Sequence, residues 1–184
     1  MTRLKLLGAT AVVAVAVATG ALAANDPMVG GAPMYASKNI VQNAVNSKDH
    51  TTLVAAVKAA GLVDTLQGPG PFTVFAPTNE AFDALPKGTV DTLLKPENKQ
   101  MLTKVLTYHV VPGKLDSKAL DREIKAGGGK AMLKTVEGET LTVQGSGKAL
   151  TVTDEKGDKA KITIADVYQS NGVIQVVNKV LLPK

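Results

Sequence analysis

The sequence predicts an α+β domain, with helices mainly in its N-terminal half and strands mainly in its C-terminal half. Apolar residues recur at helical spacing from Ser37 to about Ala126. Beyond the glycines at 127–129 the spacing changes to a period of two. Turn residues then separate short β-favouring segments at regular intervals. Helices followed by hairpin-linked strands indicate a mostly antiparallel sheet.

The first helices follow from two apolar groups, one at residues 40–45 and one at residues 53–57. Asp49 precedes the second group and is a plausible N-cap. Gly61 follows it, and glycine commonly ends a helix because it adopts a left-handed conformation without strain. We therefore expect two helices at the start of the domain.

A strand-to-helix corner is predicted in the stretch FAPTNEAFDAL, residues 75–85. The preceding residues favour a strand with apolar groups on both faces, which is typical of the interior of a sheet. Pro77 ends this strand, and Thr78 is a candidate N-cap for the helix that follows.

The remaining elements follow from the same two periods. A longer helix is expected from Glu97 to His109, and another from Ser117 to Ala126. Five strands are expected within the segments MLKTV, TLTVQG, ALTVTD, KITIADV and GVIQVVNKVLL.

The chain begins with the pattern of a secretory signal peptide at residues 1–23. Arg3 and Lys5 precede an apolar run, and Ala21 and Ala23 place small side chains before the expected cleavage point. Residues 24–36 contain glycine and proline without periodicity, which predicts a flexible lead-in. The domain itself is expected to span residues 37–184.

Composition excludes several classes of function. The chain has no cysteine, which excludes a thiolate nucleophile and a cysteine-ligated metal. Its formal net charge is only +5 and its aromatic content only 3%, so it lacks the basic stripe and stacking residues of a nucleic-acid binder. After residue 23, no segment has an apolar run long enough to anchor the chain stably in a membrane.

Three segments carry a resemblance to a known family. TVFAPTNEAF (73–82), LTYHVVPGK (106–114) and SNGVIQVVNKVLLP (170–183) resemble the conserved blocks of the fasciclin domain, in the family's order and spacing. The resemblance implies a wedge-shaped β-sandwich with flanking helices, acting as an extracellular adhesion module without catalytic machinery common to the family. The structural motif residues that it implies are Thr78, Tyr108, His109, Asn171 and Gly172.

The third of these segments, residues 170–183, departs from the common family pattern at two positions. This chain has Gln175 where the family often has histidine, and Asn178 where an acid is common. A role tied to that histidine is therefore in doubt, although glutamine can still bond a buried carbonyl or amide group.

His109 invites a metal-binding or acid–base interpretation. It lies on an apolar helical face beside Tyr108, and no second histidine or pair of carboxylates lies at metal-ligand spacing from it. We therefore expect a buried histidine that hydrogen-bonds backbone near the strand-to-helix corner. No cofactor or metal is predicted.

The segment IADVYQSNG, residues 164–172, holds the candidate partner-binding residues Asp166, Val167 and Tyr168. Asp166 and Val167 match an Asp-Ile pair that is implicated in integrin binding in animal fasciclin domains. In the alternative interpretation, which we prefer, Val167 packs inward and Asp166 caps or orients a turn. Tyr168 is expected to be partly exposed and suited to an interface.

The function expected from these features is non-enzymatic adhesion or cell-envelope interaction by an exported protein, periplasmic or secreted. Its partner would be an unidentified protein or polysaccharide of the cell surface or matrix. The alternative is a carrier of a small lipophilic ligand such as a carotenoid, because the fold implied by the resemblance offers apolar clefts between sheet and helices. An uncharacterised hydrolase is a weaker third possibility, since no nucleophile–base pair can be named.

Overall fold

A computed structural model describes residues 26–184, and seven α-helices are found there, mostly before the main strands. The helices are α1 Ile40–Ala44, α2 Thr51–Ala60, α3 Val63–Gln67, α4 Asn79–Asp83, α5 Thr89–Leu93, α6 Lys99–Tyr108 and α7 Ser117–Ala126. Two short 3-10 helices, Lys48–His50 and Pro96–Asn98, lead into α2 and α6. The predicted α+β class and its helix-then-strand order are confirmed.

The strands form a small hairpin and one seven-stranded sheet. They are β1 Met28–Val29, β2 Ala32–Pro33, β3 Phe72–Pro77, β4 Val110–Pro112, β5 Lys130–Lys134, β6 Thr140–Ser146, β7 Ala149–Thr153, β8 Lys159–Gln169 and β9 Gly172–Val177. β1 pairs with β2, and the large sheet has the order β4-β3-β9-β8-β7-β6-β5. Its neighbouring strands run antiparallel except for β3 and β9, which are parallel.

The large sheet curls until its two ends approach each other. The Val136 N–H, just beyond β5 at one edge, donates to the Val110 carbonyl in β4 at the other edge, at 2.8 Å. The two halves of the expected sandwich are therefore parts of a single, nearly closed sheet.

The strand-to-helix corner forms as predicted. β3 lies between β4 and β9 inside the sheet, and its last five residues are buried. It ends at Pro77, and the Thr78 side chain accepts a hydrogen bond from the Ala81 N–H at the start of α4. A breaker and a cap therefore turn the chain from sheet to helix.

The predicted ends of α2 are half right. Gly61 ends the helix in a left-handed conformation, with φ of 72°. Asp49 is not the N-cap, because residues 48–50 form a 3-10 turn that moves the helix start to Thr51. The Thr52 N–H instead donates to Asn79 Oδ1, at 3.1 Å. A residue of α4 therefore accepts the hydrogen bond that an N-cap side chain would otherwise accept.

The segment before the domain is more ordered than its composition predicts. Residues 28–33 form the β1–β2 hairpin, and Val29 and Met34 are buried. Two bonds hold the chain there, because the Asn43 side chain pairs with both the N–H and the carbonyl group of Tyr35. Burial and tertiary bonds thus order this part of the expected lead-in. The predicted signal peptide, residues 1–23, lies outside the described residues.

The buried apolar residues fall into two clusters on opposite faces of the sheet. One cluster joins helices α1, α2 and α6 to residues such as Val74 and Ala76 of β3. The other fills the inside of the curled sheet, beneath α7, and includes Phe75 and Tyr108. β3 therefore contributes to both clusters with alternate side chains.

Among residues 26–184, no helix is sufficiently long and apolar to cross a membrane.

Candidate functional site

The segment 164–172 leaves regular strand geometry at Asp166. The β8–β9 register shifts between Ile162 and Val167, and Asp166 has a positive φ of 61° inside this irregular region. Its carboxylate accepts hydrogen bonds from both the backbone N–H and the hydroxyl group of Ser117, the former at 2.6 Å. Asp166 therefore ties the bulge of β8 to the first residue of α7 and orients both.

Gln175 completes this arrangement from the neighbouring strand. Its side chain is fully buried, and its Oε1 accepts from the Asp166 N–H at 3.1 Å. Its Nε2 donates to the Leu115 carbonyl and to Asp166 Oδ1, each at 3.2 Å. The glutamine that stands where the family often has histidine thus bonds the partly buried N–H of Asp166 and the partly buried carbonyl group of Leu115.

Val167 and Tyr168 point in opposite directions, as neighbours in a strand do. Val167 is fully buried in the cluster beneath the helices, so it contacts the core rather than a partner. Tyr168 is 38% exposed. Of the three candidates in this segment, Tyr168 therefore has the large exposed side chain, whereas Asp166 and Val167 occupy the structural roles of the alternative interpretation.

The Tyr168 side chain is held by two charged neighbours, and the three residues Lys114, Asp116 and Tyr168 are called the Tyr168 surface below. The hydroxyl group donates to Asp116 Oδ2 at 3.1 Å, and Lys114 Nζ lies 4.8 Å from the ring centroid. Burial raises the pKa of Tyr168, and the Asp116 carboxylate raises it further. The Ala119 N–H, at the start of α7, lowers the pKa of Asp116, and the Tyr168 hydroxyl adds to this effect.

Asn171 and Gly172 connect the end of β8 to the helical half. Asn171 Oδ1 accepts from the Ile40 N–H at 3.0 Å, and its Nδ2 donates to the Leu66 carbonyl at 2.8 Å. Gly172 lies against the backbone of Phe72, where a Cβ atom would overlap the carbonyl oxygen. Both residues therefore act in packing the helices and β3 against the segment 170–183.

Tyr108 is a fully buried connector inside the curled sheet. Its hydroxyl group donates to the Thr140 carbonyl and accepts from the Glu155 N–H, both at 3.1 Å. Burial raises the pKa of Tyr108 to about 12, so the phenol stays protonated under ordinary conditions. Its bonds join α6 to the start of β6 and to the turn after β7.

His109 is a buried histidine with both ring nitrogens bonded. Its Nδ1 donates to the Val105 carbonyl at 2.8 Å, and its Nε2 accepts from the Leu181 N–H at 3.0 Å. Burial lowers its pKa to about 4, so the neutral ring is favoured. The ring therefore joins α6 to the segment after β9.

The link between His109 and the first block runs through the backbone instead of the ring. The Phe75 N–H donates to the His109 carbonyl at 2.9 Å. The His109 ring therefore does not form the expected hydrogen bond near the corner. The ring bonds the segment after β9, whereas the His109 backbone carbonyl bonds β3. Within residues 26–184, no group of three or more histidine, aspartate or glutamate side chains is arranged to hold a metal ion.

An apolar cavity lies between the helices and β3, where clefts were expected. It has a volume of about 70 Å³ and is lined by residues of α1, α2, α3, α6 and β3. Leu53, Val57, Leu66, Phe72 and Val74 are among its wall residues. Its lining suits an apolar group.

Two sets of contacts were not predicted from the sequence, those of Tyr168 with Lys114 and Asp116 and that of Ser47 with His50. Lys114 and Asp116 lie more than 50 positions from Tyr168, and the buried pair Ser47 and His50 is joined by a 2.9 Å hydrogen bond. Spacing along the chain gives no signal for the first contact. The second had a signal, since the two residues are three positions apart at a helix entrance.

Comparison with known proteins places the chain in a family. The fasciclin domain profile matches residues 48–183, which is most of the chain. This protein belongs to the fasciclin domain family, whose members are generally non-enzymatic. The resemblance predicted from the three sequence blocks is confirmed.

Three bacterial relatives match over more than two thirds of their length. The protein sll1483 of a Synechocystis strain is 47% identical over 157 residues, covering 85% of this chain and 79% of that protein. The immunogenic protein MPT70 of Mycobacterium tuberculosis is 33% identical over 195 aligned positions, covering 95% and 92% of the respective chains. Cell surface glycolipoprotein MPB83 of Mycobacterium bovis is 32% identical over 166 positions, covering 88% of this chain and 68% of that protein.

A solved structure supports the same fold. The pair of FAS1 domains from the insect cell adhesion molecule Fasciclin I aligns with a TM-score of 0.71, covering 79% of this chain and 51% of that one. The sequences are 16% identical in this alignment, so the likeness concerns the fold.

Proposed function

We propose that this protein is exported and acts as a non-enzymatic interaction module of the cell envelope, binding through the Tyr168 surface. Family membership supports this role, and two similar proteins are named a cell surface glycolipoprotein and a cell adhesion molecule. The partner would be a protein or polysaccharide of the cell surface or matrix.

The observation that carries the proposal is the fixed, half-exposed position of Tyr168. Lys114 covers one part of the ring and Asp116 holds the hydroxyl group, while the side chain stays 38% exposed. A tyrosine held in this way loses little conformational freedom on binding. Tyrosine is enriched at interface centres, and the polar and charged groups beside this ring match the polar rim that surrounds such a centre.

The test is attachment of the purified protein to envelope fractions of the organism that produces it. Tyr168→Ala should weaken attachment about tenfold or more, because the anchor ring is lost. Tyr35→Ala is a matched control, since Tyr35 is 41% exposed and also lies 4.8 Å below a lysine Nζ, that of Lys38. Unchanged attachment of the Tyr168 variant, or an equal loss in the Tyr35 variant, would end the proposal for this surface.

A second candidate function is the transport of a small lipophilic ligand such as a carotenoid. The apolar cavity of about 70 Å³ between the helices and β3 favours it. One water takes about 30 Å³ in the liquid, so this space accepts only a short apolar segment. A long ligand would have to part the helices or leave most of its length outside.

The carrier function is tested on protein purified from its native host. An absorption spectrum and mass spectrometry of the organic extract should reveal a ligand in stoichiometric amount. Protein that carries no extractable ligand, and that takes up none when offered, would contradict this candidate.

A further inference from the structure

The outward side chains of strands β5 to β8 form a face of lysines and threonines. In β5, Ala131 and Leu133 point into the curled sheet, so Lys130, Met132 and Lys134 point outward. Directly paired residues of neighbouring antiparallel strands lie on the same side of a sheet. The register of the strands therefore extends this outward face from β5 across β6 and β7 to β8.

Strand pairing arranges the outward residues in two rows that cross the four strands. The first row is Lys130, Gln144, Thr151 and Lys161, and the second row is Met132, Thr142, Thr153 and Lys159. Neighbouring strands lie about 4.8 Å apart, so the β5 and β8 residues at the ends of a row are separated by about 14 Å. The two rows, together with the adjoining pair Lys134 and Thr140, are called the lysine face below.

The lysine face has four cations and no carboxylate. Its cations are Lys130, Lys134, Lys159 and Lys161, and all four are exposed. In the described part of the chain, none of them forms an ion pair. These lysines are scattered along the sequence, and the pairing of the strands brings them together.

The carboxylates nearest to this face along the chain lie in the turns at the strand ends. Glu139 and Glu155 each pair with a lysine outside the face. Asp154 is buried and accepts hydrogen bonds from backbone N–H groups of its own turn. Asp158 precedes β8 and has no position in the paired rows. The positive charge of the lysine face is therefore available to a partner.

The centre of the lysine face is polar. Thr142 and Thr151 are partly exposed and Gln144 is exposed, so their hydroxyl and amide groups can donate and accept hydrogen bonds. The large apolar side chain of this face, Met132, lies at its β5 edge. The centre of a protein–protein interface is typically apolar and aromatic. The face therefore suits a partner rich in hydroxyl groups and negative charge better than it suits a protein.

The curvature of the sheet favours a flexible partner over a flat one. Because the sheet curls until Val136 bonds Val110, its outer side is convex. The threonines of β6 and β7 lie along the crest of this face, and the lysines of β5 and β8 lie on its two slopes. A flat membrane would meet the crest first, whereas a flexible chain can follow the curve and reach the lysines on both slopes.

We propose that the lysine face binds an acidic polysaccharide. Carboxylate groups of the polysaccharide pair with the lysines of β5 and β8, and its hydroxyl groups bond Gln144 and Thr151 between them.

This site is separate from the Tyr168 surface. Lys161 alternates with Ile162, which belongs to the cluster inside the curled sheet. Tyr168 alternates with Val167, which belongs to the cluster beneath the helices, on the opposite face. Lys161 and Tyr168 therefore point to opposite sides of the sheet. The inference thus goes beyond the proposed function and can be tested independently of it.

The first test measures binding of the purified protein to alginate, a polysaccharide that carries carboxylate groups, and to dextran, which is uncharged. The unchanged protein should bind alginate and not dextran, and added salt should weaken the binding because it screens the charges. The double variant Lys130→Gln/Lys161→Gln should bind alginate about tenfold more weakly or worse, because each lysine near an anionic surface contributes to affinity. Failure to bind alginate, or equal binding of dextran, would overturn the inference.

The double variant Lys87→Gln/Lys95→Gln is a matched control, because it removes the same charge from exposed positions outside the lysine face. Its affinity for alginate should stay within about twofold of the unchanged protein, since distant charges are screened at physiological salt. Equal losses in the two double variants would mean that net charge alone drives binding, and would overturn the inference.

Tyr168→Ala separates this inference from the proposed function. The variant should bind alginate as the unchanged protein does. Loss of alginate binding in this variant, with full binding in the lysine-face variant, would overturn the inference and assign the polysaccharide to the Tyr168 surface. Full attachment of the Tyr168 variant to envelope fractions would end the proposed function and leave the lysine face standing.

The second test locates the bound polymer on the unchanged protein. Acetylation of lysines, followed by mass spectrometry, should show that alginate protects Lys130 and Lys161 while Lys87 and Lys95 stay reactive. Vesicles of phosphatidylglycerol are offered in a parallel experiment. Protection of the lysine face by the vesicles and not by alginate would overturn the inference in favour of a membrane surface, and protection of neither pair by alginate would overturn it outright.

Discussion

Asp166 and Gln175 hold each other through two hydrogen bonds across β8 and β9. The Asp166 N–H donates to Gln175 Oε1 at 3.1 Å, and Gln175 Nε2 donates to Asp166 Oδ1 at 3.2 Å. This pairing stabilises a residue with a φ of 61°, a conformation that is unfavourable for most side chains but tolerated by aspartate. The strained position is therefore supported by the tertiary structure.

Asp166→Ala should lower the free energy of unfolding by about 2 kcal/mol or more. The change removes the acceptor for both Ser117 groups and leaves a side chain that tolerates positive φ poorly. Urea denaturation measures the effect.

Asp166→Asn is the matched control. Asparagine tolerates the same backbone conformation, keeps an oxygen for the Ser117 N–H, and offers an NH₂ group to the Ser117 hydroxyl. It should therefore lose much less stability than the alanine variant. Equal stability of the alanine variant and the unchanged protein would contradict the structural role of Asp166.

His109 should make the protein less stable in mild acid. Its pKa is about 4 when folded and near the ordinary 6.5 when unfolded, so the unfolded chain binds more protons between these values. Its contribution is fully present above pH 6.5 and is lost as the pH falls toward 4, up to about 3 kcal/mol. His50, whose pKa burial also lowers, changes stability in the same direction.

The measurement is the unfolding free energy at a series of pH values for the unchanged protein and for His109→Gln. Glutamine does not titrate and can still donate to the Val105 carbonyl and accept from the Leu181 N–H. The variant should show a smaller loss between pH 6.5 and 4. Parallel curves for the two proteins would refute this role of His109.

Tyr108→Phe should cost about 1–3 kcal/mol of stability, because it leaves the Glu155 N–H and the Thr140 carbonyl without their partner inside the protein. Tyr168→Phe removes a hydroxyl group from the surface and should cost less than about 0.5 kcal/mol. Melting temperatures of the two variants, measured side by side, give the comparison. Equal melting temperatures would mean that the buried hydroxyl group contributes nothing.

Export predicts a defined N-terminus. If residues 1–23 are a signal peptide, protein recovered outside the cytoplasm should begin at Ala24, since Ala21 and Ala23 satisfy the small-residue preference of the peptidase. N-terminal sequencing of that fraction tests this directly. Intact Met1 in the exported protein would rule out the predicted cleavage.

Local features of the fold could be predicted because their causes lie within a few residues. Thr78 caps α4 and Gly61 ends α2 through bonds inside a single turn of chain. The period of two located β5 to β9 in the same way, since alternation follows from strand geometry alone. β4 escaped prediction because its three residues are too few to display a period and pair with the distant β3.

The sequence by itself determined the α+β class, the strand-to-helix corner, the buried state of His109 and the family, because periodicity, capping residues and block order are local or linear properties. Only the tertiary structure decided which residues meet. Asp116 reaches Tyr168 because Ser117 bonds the start of α7 to Asp166 in β8, and Gln175 reaches Asp166 because β8 pairs with β9. Contacts between distant segments depend on how the elements pack, so the spacing of residues along the chain does not predict the individual contacts.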